Sequence, residues 1–144
     1  MQVLQILKTK KDDSVTTVAP GTSVAEVAEI LSARRIGALI ISRDGRHVDG
    51  IVSERDVVRE LGRRGAAVLA LPVDEIMTKN AIGCTRTDTT AEVMERMSKG
   101  GFRHMPVMEG EVMVGLISIR DVIAARLAEL NMEKEALTGM IMGS

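Results

Sequence analysis

The sequence predicts a mixed α/β fold of the α+β type, built from two β-α-β-β-α units related by a pseudo-twofold axis. The first reason is an internal repeat, because Ala25-Glu26-Val27 recurs as Ala91-Glu92-Val93, and the stretch Gly50–Asp56 recurs in outline as Gly115–Asp121. The second reason is size, since a unit of about 60 residues is too small to cover both helix stripes and both sheet faces. We therefore expect the two units to pack together and to leave two equivalent clefts between them.

Residues 1–65 are predicted to form the first unit, which includes an N-terminal lead-in. Apolar residues between positions 3 and 7 suggest a short docking helix at its start. Ser23, followed three residues later by Glu26, has the pattern of a capping box at the start of an amphipathic helix. An apolar strand, a hairpin turn and a return strand come next, and Ser53 begins the second helix.

The second half of the chain repeats this order after a connecting segment. Residues 66–76 are predicted to be a linker, with a break at Pro72. Residues 77–130 form the second unit, and residues 131–144 form a C-terminal tail that is apolar around Gly139. This tail is equally consistent with a partner surface and with a frayed terminus.

The composition argues against several classes of protein. Nineteen basic and 20 acidic residues give a net charge of −1, whereas sequence-independent nucleic-acid binders carry clustered positive charge. No apolar run has the length of a membrane span, and the N-terminus lacks the apolar core of a signal peptide. The single cysteine cannot form an internal disulfide, so a cytoplasmic location is expected.

Catalysis is not expected from the residue types present. One Cys and two His are too few for a closed zinc site without distant carboxylates, and the sequence has no Gly-x-x-x-x-Gly-Lys-Ser/Thr phosphate loop. Cys84 ends a short predicted strand and is interpreted as a buried structural residue. We therefore predict a protein that is not an enzyme, with no metal site and no catalytic cofactor.

The repeated stretch has two interpretations. Gly50–Asp56 and Gly115–Asp121 each contain a Gly, two aliphatic residues, a Ser and, three residues after the Ser, an Asp. Ser-x-x-Asp is typical of a helix N-terminus, where the hydroxyl caps the helix and the carboxylate complements its dipole. A hydroxyl beside a carboxylate at a strand end can also bind a sugar diol. The Gly, and the Arg before each Asp (Arg55 and Arg120), favour binding because a cap requires neither.

Together these features resemble a tandem pair of CBS domains, also called a Bateman module, over roughly residues 1–130. The nucleotide motif of that family is Gly, hydrophobic, any, Ser or Thr, any, any, Asp, and both repeated stretches fit it. Residues 73–78 resemble the usual lead-in to a repeat of this family.

The resemblance implies a stand-alone regulatory module that binds an adenosyl ligand in clefts between its repeats. AMP, ADP or ATP is the expected ligand, with NAD(H) or S-adenosylmethionine as the alternative. A homodimer, arranged as a four-repeat disc, would signal through the dimer or to an unknown protein target. The alternative from another class is a purely structural dimerisation module with vestigial clefts.

The resemblance also implies how each cleft is built. The Asp carboxylate would accept hydrogen bonds from the two ribose hydroxyls, and the Ser hydroxyl would orient the base or the ribose. The segments that complete the clefts are residues 9–18 and 36–38 for Asp121, and residues 78–82 and 102–104 for Asp56.

Phosphate groups require cations, which this family often supplies at the start of the second strand of a repeat. The second repeat has Arg103-His104 there, whereas the first has Gly37-Ala38. We therefore expect the Asp121 cleft to bind phosphate better, and the expected phosphate ligands are Arg103, His104, Arg120 and Lys10. The full set of predicted nucleotide-binding residues is Asp121, Ser118, Arg120, Ile117, Arg103, His104, Ile36, Gly37, Ala38, Thr16, Lys10, Asp56, Ser53, Arg55, Thr78, Asn80, Ile82 and Phe102.

Overall fold

The computed structural model describes residues 1–10 and 14–142 and contains the mixed helices and strands that the repeat predicts. Its elements, in chain order, are α1 (Val3–Thr9), β1 (Thr17–Val18), α2 (Val24–Arg34), β2 (Ala38–Ile41), β3 (Gly50–Ser53), α3 (Glu54–Arg64), α4 (Thr90–Gly100), β4 (His104–Glu109), β5 (Val112–Ser118) and α5 (Ile119–Met142). Two short 3-10 turns, Ala66–Ala70 and Val73–Glu75, follow α3. The predicted α+β class and its duplicated order are therefore confirmed.

Each half contains a small sheet with the same hairpin register. In the first sheet β1 pairs with β2 in parallel and β2 pairs with β3 antiparallel, so that Ala38 lies opposite Ser53. In the second sheet β4 and β5 form the hairpin, with His104 opposite Ser118. The leading strand predicted for the second half is reduced to a single parallel bridge between Cys84 and β4. The matching registers place Ser53 and Ser118 at equivalent strand ends.

The two halves have separate hydrophobic cores, and the N-terminal helix belongs to the second core. Val3 and Ile6 of α1 are 0% and 2% exposed and lie in the cluster formed by the second half. The sequence assigns this lead-in to the first unit, but its apolar face packs on the other one. The segment 66–76, predicted as a linker, contributes Val68 and Val73 to the first core.

The glycines that open the two repeated stretches allow a side chain from a distant segment to lie on each sheet. A Cβ atom on Gly115 would lie 2.8 Å from Cδ2 of Leu7, which comes from α1. A Cβ atom on Gly50 would collide with the side chain of Met77, which leads into the second half. Each glycine is thus required by close packing and not by its backbone angles.

Helix α5 runs from Ile119 to Met142, so the predicted C-terminal tail is helical as far as Met142. Residues 143–144 lie outside the described residues. Val122 is buried in the second core, whereas every residue from Asn131 to Met142 is exposed. Among the helices that the structure describes, none combines the length and the apolar character needed to cross a bilayer.

Candidate functional site

A cavity of about 460 Å³ opens at the start of α3. This volume lies within the range of small-molecule pockets, about 300–1,000 Å³. Its walls come from distant parts of the chain: residues 53–56 and Arg59 of the first repeat, residues 78 and 80–82 of the lead-in, and residues 100–104 at the start of β4. The cavity is therefore formed where the second half of the chain meets α3.

Asp56 lines this cavity and also caps α3. Its Oδ2 accepts hydrogen bonds from the backbone N–H of Ser53 at 2.8 Å and from the hydroxyl of Ser53 at 3.0 Å. Its Oδ1 accepts a hydrogen bond from Nη2 of Arg59 at 2.7 Å. Because a carboxylate offers about four lone-pair sites, Oδ1 has capacity for a further donor. The capping and the binding interpretations are therefore compatible in the same side chain.

Positive charge exceeds negative charge around the cavity. Arg55, Arg59 and Arg103 line it, and the carboxylates among its lining residues are Glu54 and Asp56. Arg55 and Arg103 are exposed, so their guanidinium groups stand at the mouth. Guanidinium groups recognise phosphate through paired hydrogen bonds. The mouth can receive an anionic group while Asp56 accepts hydrogen bonds from hydroxyls.

His104 is half-buried on the cavity wall, between residues of both clefts. Burial lowers the pKa of its imidazole, because the charged form is less well solvated there, while the carboxylates of Glu54 and Asp121 act in the opposite direction. Its Nε2 would lie 2.9 Å from a Cβ atom on Gly37. Gly37, the residue that departs from the basic pattern of the family, thus leaves the space that the His104 ring occupies.

The equivalent cleft beside Asp121 is occupied by a side chain of the protein. Nζ of Lys10 donates hydrogen bonds to the backbone carbonyl of Leu116 at 2.8 Å and to Oδ2 of Asp121 at 3.1 Å. The same Oδ2 accepts from the backbone N–H of Ser118 at 2.8 Å. Ile51 is the residue of the first repeat that is equivalent to Leu116. Its backbone carbonyl accepts a hydrogen bond from the backbone N–H of Thr78 at 2.8 Å and not from a lysine side chain. The two clefts are therefore equivalent in backbone and different in chemistry.

The predicted residues divide between these clefts and the core. Those that line the Asp56 cavity are Gly37, Ser53, Arg55, Asp56, Thr78, Asn80, Ile82, Phe102, Arg103 and His104. Lys10, Ser118 and Asp121 meet in the second cleft. Arg103 and His104 were expected to complete the Asp56 cleft and also to serve as phosphate ligands beside Asp121. Both line the Asp56 cavity, and His104 also lies opposite Ser118 of the second cleft.

The remaining predicted residues do not line this cavity. Ile117 and Ala38 are 0% and 4% exposed and belong to the strands. Ile36 packs against the first core, and the hydroxyl of Thr16 accepts a hydrogen bond from Nη1 of Arg34 at 3.1 Å. Arg120 is exposed at the start of α5. Residues 11–13 of the predicted segment 9–18 lie outside the described residues.

Some cavity residues are absent from the predicted set. Arg59 could have been predicted from the sequence. It follows Asp56 by three residues on the same helix, and side chains at that spacing contact each other. Glu54 follows the capping Ser directly and was also within reach of sequence reasoning. Gly100 and Gly101, at the end of α4, come to the cavity only through the tertiary fold.

Cys84 is 3% exposed, and burial raises the pKa of its thiol to about 12, so its interpretation as a buried structural residue is confirmed. Within residues 1–10 and 14–142, no cluster of three or more His, Cys, Asp or Glu side chains is arranged to hold a metal ion.

The duplicated hairpins, the two Ser-x-x-Asp helix starts and the intervening clefts have a counterpart among known families. A family model described as the CBS domain matches residues 9–63 and again residues 73–128. The chain belongs to the CBS-domain family. The two matched regions are the two CBS repeats of this chain, and the resemblance inferred from the repeated motif is confirmed.

Solved structures of CBS-domain proteins share this fold along most of their length. A CBS-domain containing protein from Agrobacterium tumefaciens is 41% identical, with a TM-score of 0.83 over 88% of this chain and 99% of that chain. A CBS-domain protein from Pyrobaculum aerophilum, complexed with AMP, is 27% identical, with a TM-score of 0.73 over 84% of this chain and 89% of that chain. The CBS domain pair of protein MJ0100, in complex with 5′-methylthioadenosine and S-adenosyl-L-methionine, is 25% identical, with a TM-score of 0.77 over 90% of this chain and 98% of that chain.

Some curated relatives are much longer proteins. The chain is 27% identical over 128 residues to an Arabidopsis thaliana CBS domain-containing protein, and it spans only 24% of the length of that protein. The pair of CBS repeats is therefore also found as one part of larger chains.

Proposed function

We propose that this chain is a regulatory module that binds an adenine nucleotide, AMP, ADP or ATP, in the Asp56 cleft. The observation that carries the proposal is the contrast between the two clefts. A cavity of about 460 Å³ adjoins Asp56, whereas the carboxylate of Asp121 already accepts a hydrogen bond from Lys10. The first cleft is therefore the place for a nucleotide, in reversal of the preference that the sequence suggested.

The chemistry of the Asp56 cleft supports this ligand class. The ribose hydroxyls would donate to Asp56, whose present partner Arg59 is 54% exposed and can move aside at little cost. The base would lie against Ile82 and Phe102, which provide apolar surface in the same cavity. The phosphate would lie at the mouth, where Arg103 is exposed.

Relatives also support an adenosyl ligand. AMP is bound by the Pyrobaculum protein, and S-adenosyl-L-methionine and 5′-methylthioadenosine are bound by the MJ0100 pair. S-adenosylmethionine is thus a second candidate, and NAD(H) is a further one that rests on the family resemblance alone. The arginines that line the cavity favour a ligand with phosphate, because neither the sulfonium cation S-adenosylmethionine nor the neutral thioether 5′-methylthioadenosine has a phosphate group for them to bind.

Regulation would follow from differential binding. A nucleotide in this cleft touches both repeats, so it would stabilise one relative arrangement of them, which a dimer partner or another protein could read. This mechanism uses no catalytic step, and a homodimer in the cytoplasm is the setting we propose for it.

The test compares matched variants of the two motif carboxylates. The free energy of unfolding would be measured with AMP, ADP, ATP, NADH and S-adenosylmethionine for the wild type, Asp56→Asn and Asp121→Asn. A ligand present at about 100 times its Kd should add about 2.7 kcal/mol. We expect Asp56→Asn to lose this gain and Asp121→Asn to keep it, since Asn retains an oxygen that can cap the helix.

Two outcomes would overturn the proposal. Loss of the gain in Asp121→Asn alone would move the ligand to the second cleft. A wild type that none of these ligands stabilises would leave the purely structural dimerisation module as the function.

A further inference from the structure

One titratable side chain, His104, lies between the two clefts. It begins β4 opposite Ser118 of the second cleft, and it also lines the cavity beside Asp56. Its Nε2 would lie 2.9 Å from a Cβ atom on Gly37, and Oε1 of Glu54 would lie 3.9 Å from the same atom. The imidazole and the Glu54 carboxylate therefore converge on one part of the cavity wall.

The protein charges that act on this ring cancel in sum. Glu54 at the start of α3 and Asp121 in α5 favour the imidazolium, whereas Lys10 after α1 and Arg103 before β4 disfavour it. Burial therefore decides, and it holds the pKa of His104 below its ordinary value. The ring is consequently neutral in most molecules near neutral pH. The other charged residues that line the same cavity are Arg55, Asp56 and Arg59.

We infer that a ligand with a phosphate group binds in the Asp56 cavity together with a proton from solvent, which His104 accepts. The inference rests on the proposed function and adds to it a dependence on pH. A phosphate dianion brings about two negative charges to a wall whose own charges cancel at the ring. An opposite charge within about 4–6 Å stabilises the charged form of an imidazole.

The imidazolium is also the better hydrogen-bonding partner for a phosphate. A neutral imidazole has one N–H donor, whereas an imidazolium has two. A charged donor forms the stronger hydrogen bond with a phosphate oxygen. His104 thus contributes to the recognition of phosphate mainly in its charged form, and the ligand itself favours that form.

The direction of the pH effect follows from proton linkage. Because the complex holds more protons than the free protein, binding becomes tighter as the pH falls. Between pH 8 and pH 7 the phosphate of AMP remains mainly a dianion, because its second pKa is about 6. In this range the Kd of AMP should therefore decrease about two- to fivefold, and adenosine, which has no phosphate, should bind equally at both pH values.

The first experiment observes the imidazole directly by NMR. The sequence contains two histidines, so the His47→Gln variant assigns both ring signals. His47 lies in the first hairpin beside Asp44, is 36% exposed and serves as the internal control. We expect AMP to move the titration of His104 to higher pH, adenosine to leave it in place, and neither ligand to change the titration of His47.

The second experiment measures proton uptake by isothermal titration calorimetry of AMP in two buffers of different ionisation enthalpy. The wild type and His47→Gln should take up a proton on binding, whereas His104→Gln should take up none and should lose the pH dependence of its Kd. Adenosine binding by His104→Gln shows that the variant is folded.

The outcomes separate this inference from the proposed function. Binding of AMP by the wild type without a change in the His104 titration would overturn the inference and leave the proposed function intact. Equal proton uptake by the wild type and His104→Gln would do the same. A wild type that binds none of the nucleotides would overturn both.

Discussion

Nζ of Lys10 lies 3.1 Å from Oδ2 of Asp121, although the two residues are 111 positions apart in the chain. The contact exists because α1 packs into the second core. Lys10 directly follows the last residue of α1, so the position of this helix brings Lys10 beside the second cleft. At the equivalent position of the first repeat, Asp56 pairs instead with Arg59 of its own helix. One repeat therefore keeps its cleft open, and the other fills it with an ammonium group.

Removal of this ammonium should open the second cleft. In Lys10→Ala we expect the number of nucleotides bound per chain to rise from one to two, measured by isothermal titration calorimetry with AMP. The loss of stability should be about 1.5–3 kcal/mol, because the ammonium of Lys10 donates hydrogen bonds to Leu116 and Asp121 and the side chains of Lys10 and Asp121 are only 26% and 25% exposed. Lys8→Ala, an exposed lysine on the same helix, is the control and should still bind one. If Lys10→Ala still bound one nucleotide per chain, contacts other than the Lys10–Asp121 ion pair would also close the second cleft.

Arg103 should act on the phosphate and not on the nucleoside. Arg103→Ala is expected to weaken AMP binding about 10- to 100-fold, since a charge-assisted hydrogen bond contributes about 1.5–3 kcal/mol, and to leave adenosine binding unchanged. Calorimetric titrations with the two ligands give the comparison. Arg43→Ala, at a 68% exposed arginine in the first hairpin, provides the control. Equal losses for AMP and adenosine would remove Arg103 from the phosphate site.

A methyl group on Gly115 should destabilise the protein through Leu7. Its Cβ would lie 2.8 Å from Cδ2 of Leu7, and such overpacking costs about 1–3 kcal/mol. Urea unfolding of Gly115→Ala, Leu7→Ala and the double variant should show a favourable coupling, because the shorter residue 7 gives the methyl group room. Additive effects would mean that the two sites are independent. Gly139→Ala, where the added atom meets nothing within 4 Å, should not destabilise.

His104 should make folding less stable in acid. Burial holds its pKa in the folded protein below the value of about 6.5 expected in the unfolded chain, so the unfolded chain binds more protons below that pH. The stability of the wild type should therefore fall as the pH decreases below about 6.5. The free energy of unfolding of His104→Gln, measured by urea unfolding, should decrease less between pH 7.5 and pH 5.5 than that of the wild type, because Gln does not titrate. Identical pH slopes for the two proteins would contradict this assignment.

Local patterns were sufficient for the elements and for the motif. The cap at Ser23, whose hydroxyl accepts from the N–H of Glu26 at 3.2 Å, involves residues three apart. The Ser53 cap with Asp56 is equally local, and the two hairpins follow from alternation and turn residues. Such features are set by interactions between neighbours in the chain, which the order of residues records directly.

The assignment of cations to clefts could not be made in the same way. Arg103 was assigned to the phosphate of the Asp121 cleft by its position within the repeat, whereas the family resemblance also implied that residues 102–104 complete the Asp56 cleft, whose cavity Arg103 lines. That placement depends on how the two halves face each other. Repeat symmetry predicts two clefts, and it does not predict which distant side chains enter each one.

The amino-acid order specified a duplicated chain with a hydroxyl and a carboxylate at the start of one helix in each half, since a turn, a cap and an apolar stripe need only nearby residues. Only the folded arrangement made the two halves unequal, by docking α1 on the second core, placing Lys10 on Asp121 and leaving the cavity beside Asp56. The reason is that these contacts join residues far apart in the chain, and their pairing is decided by packing between segments that carry no local signal of each other.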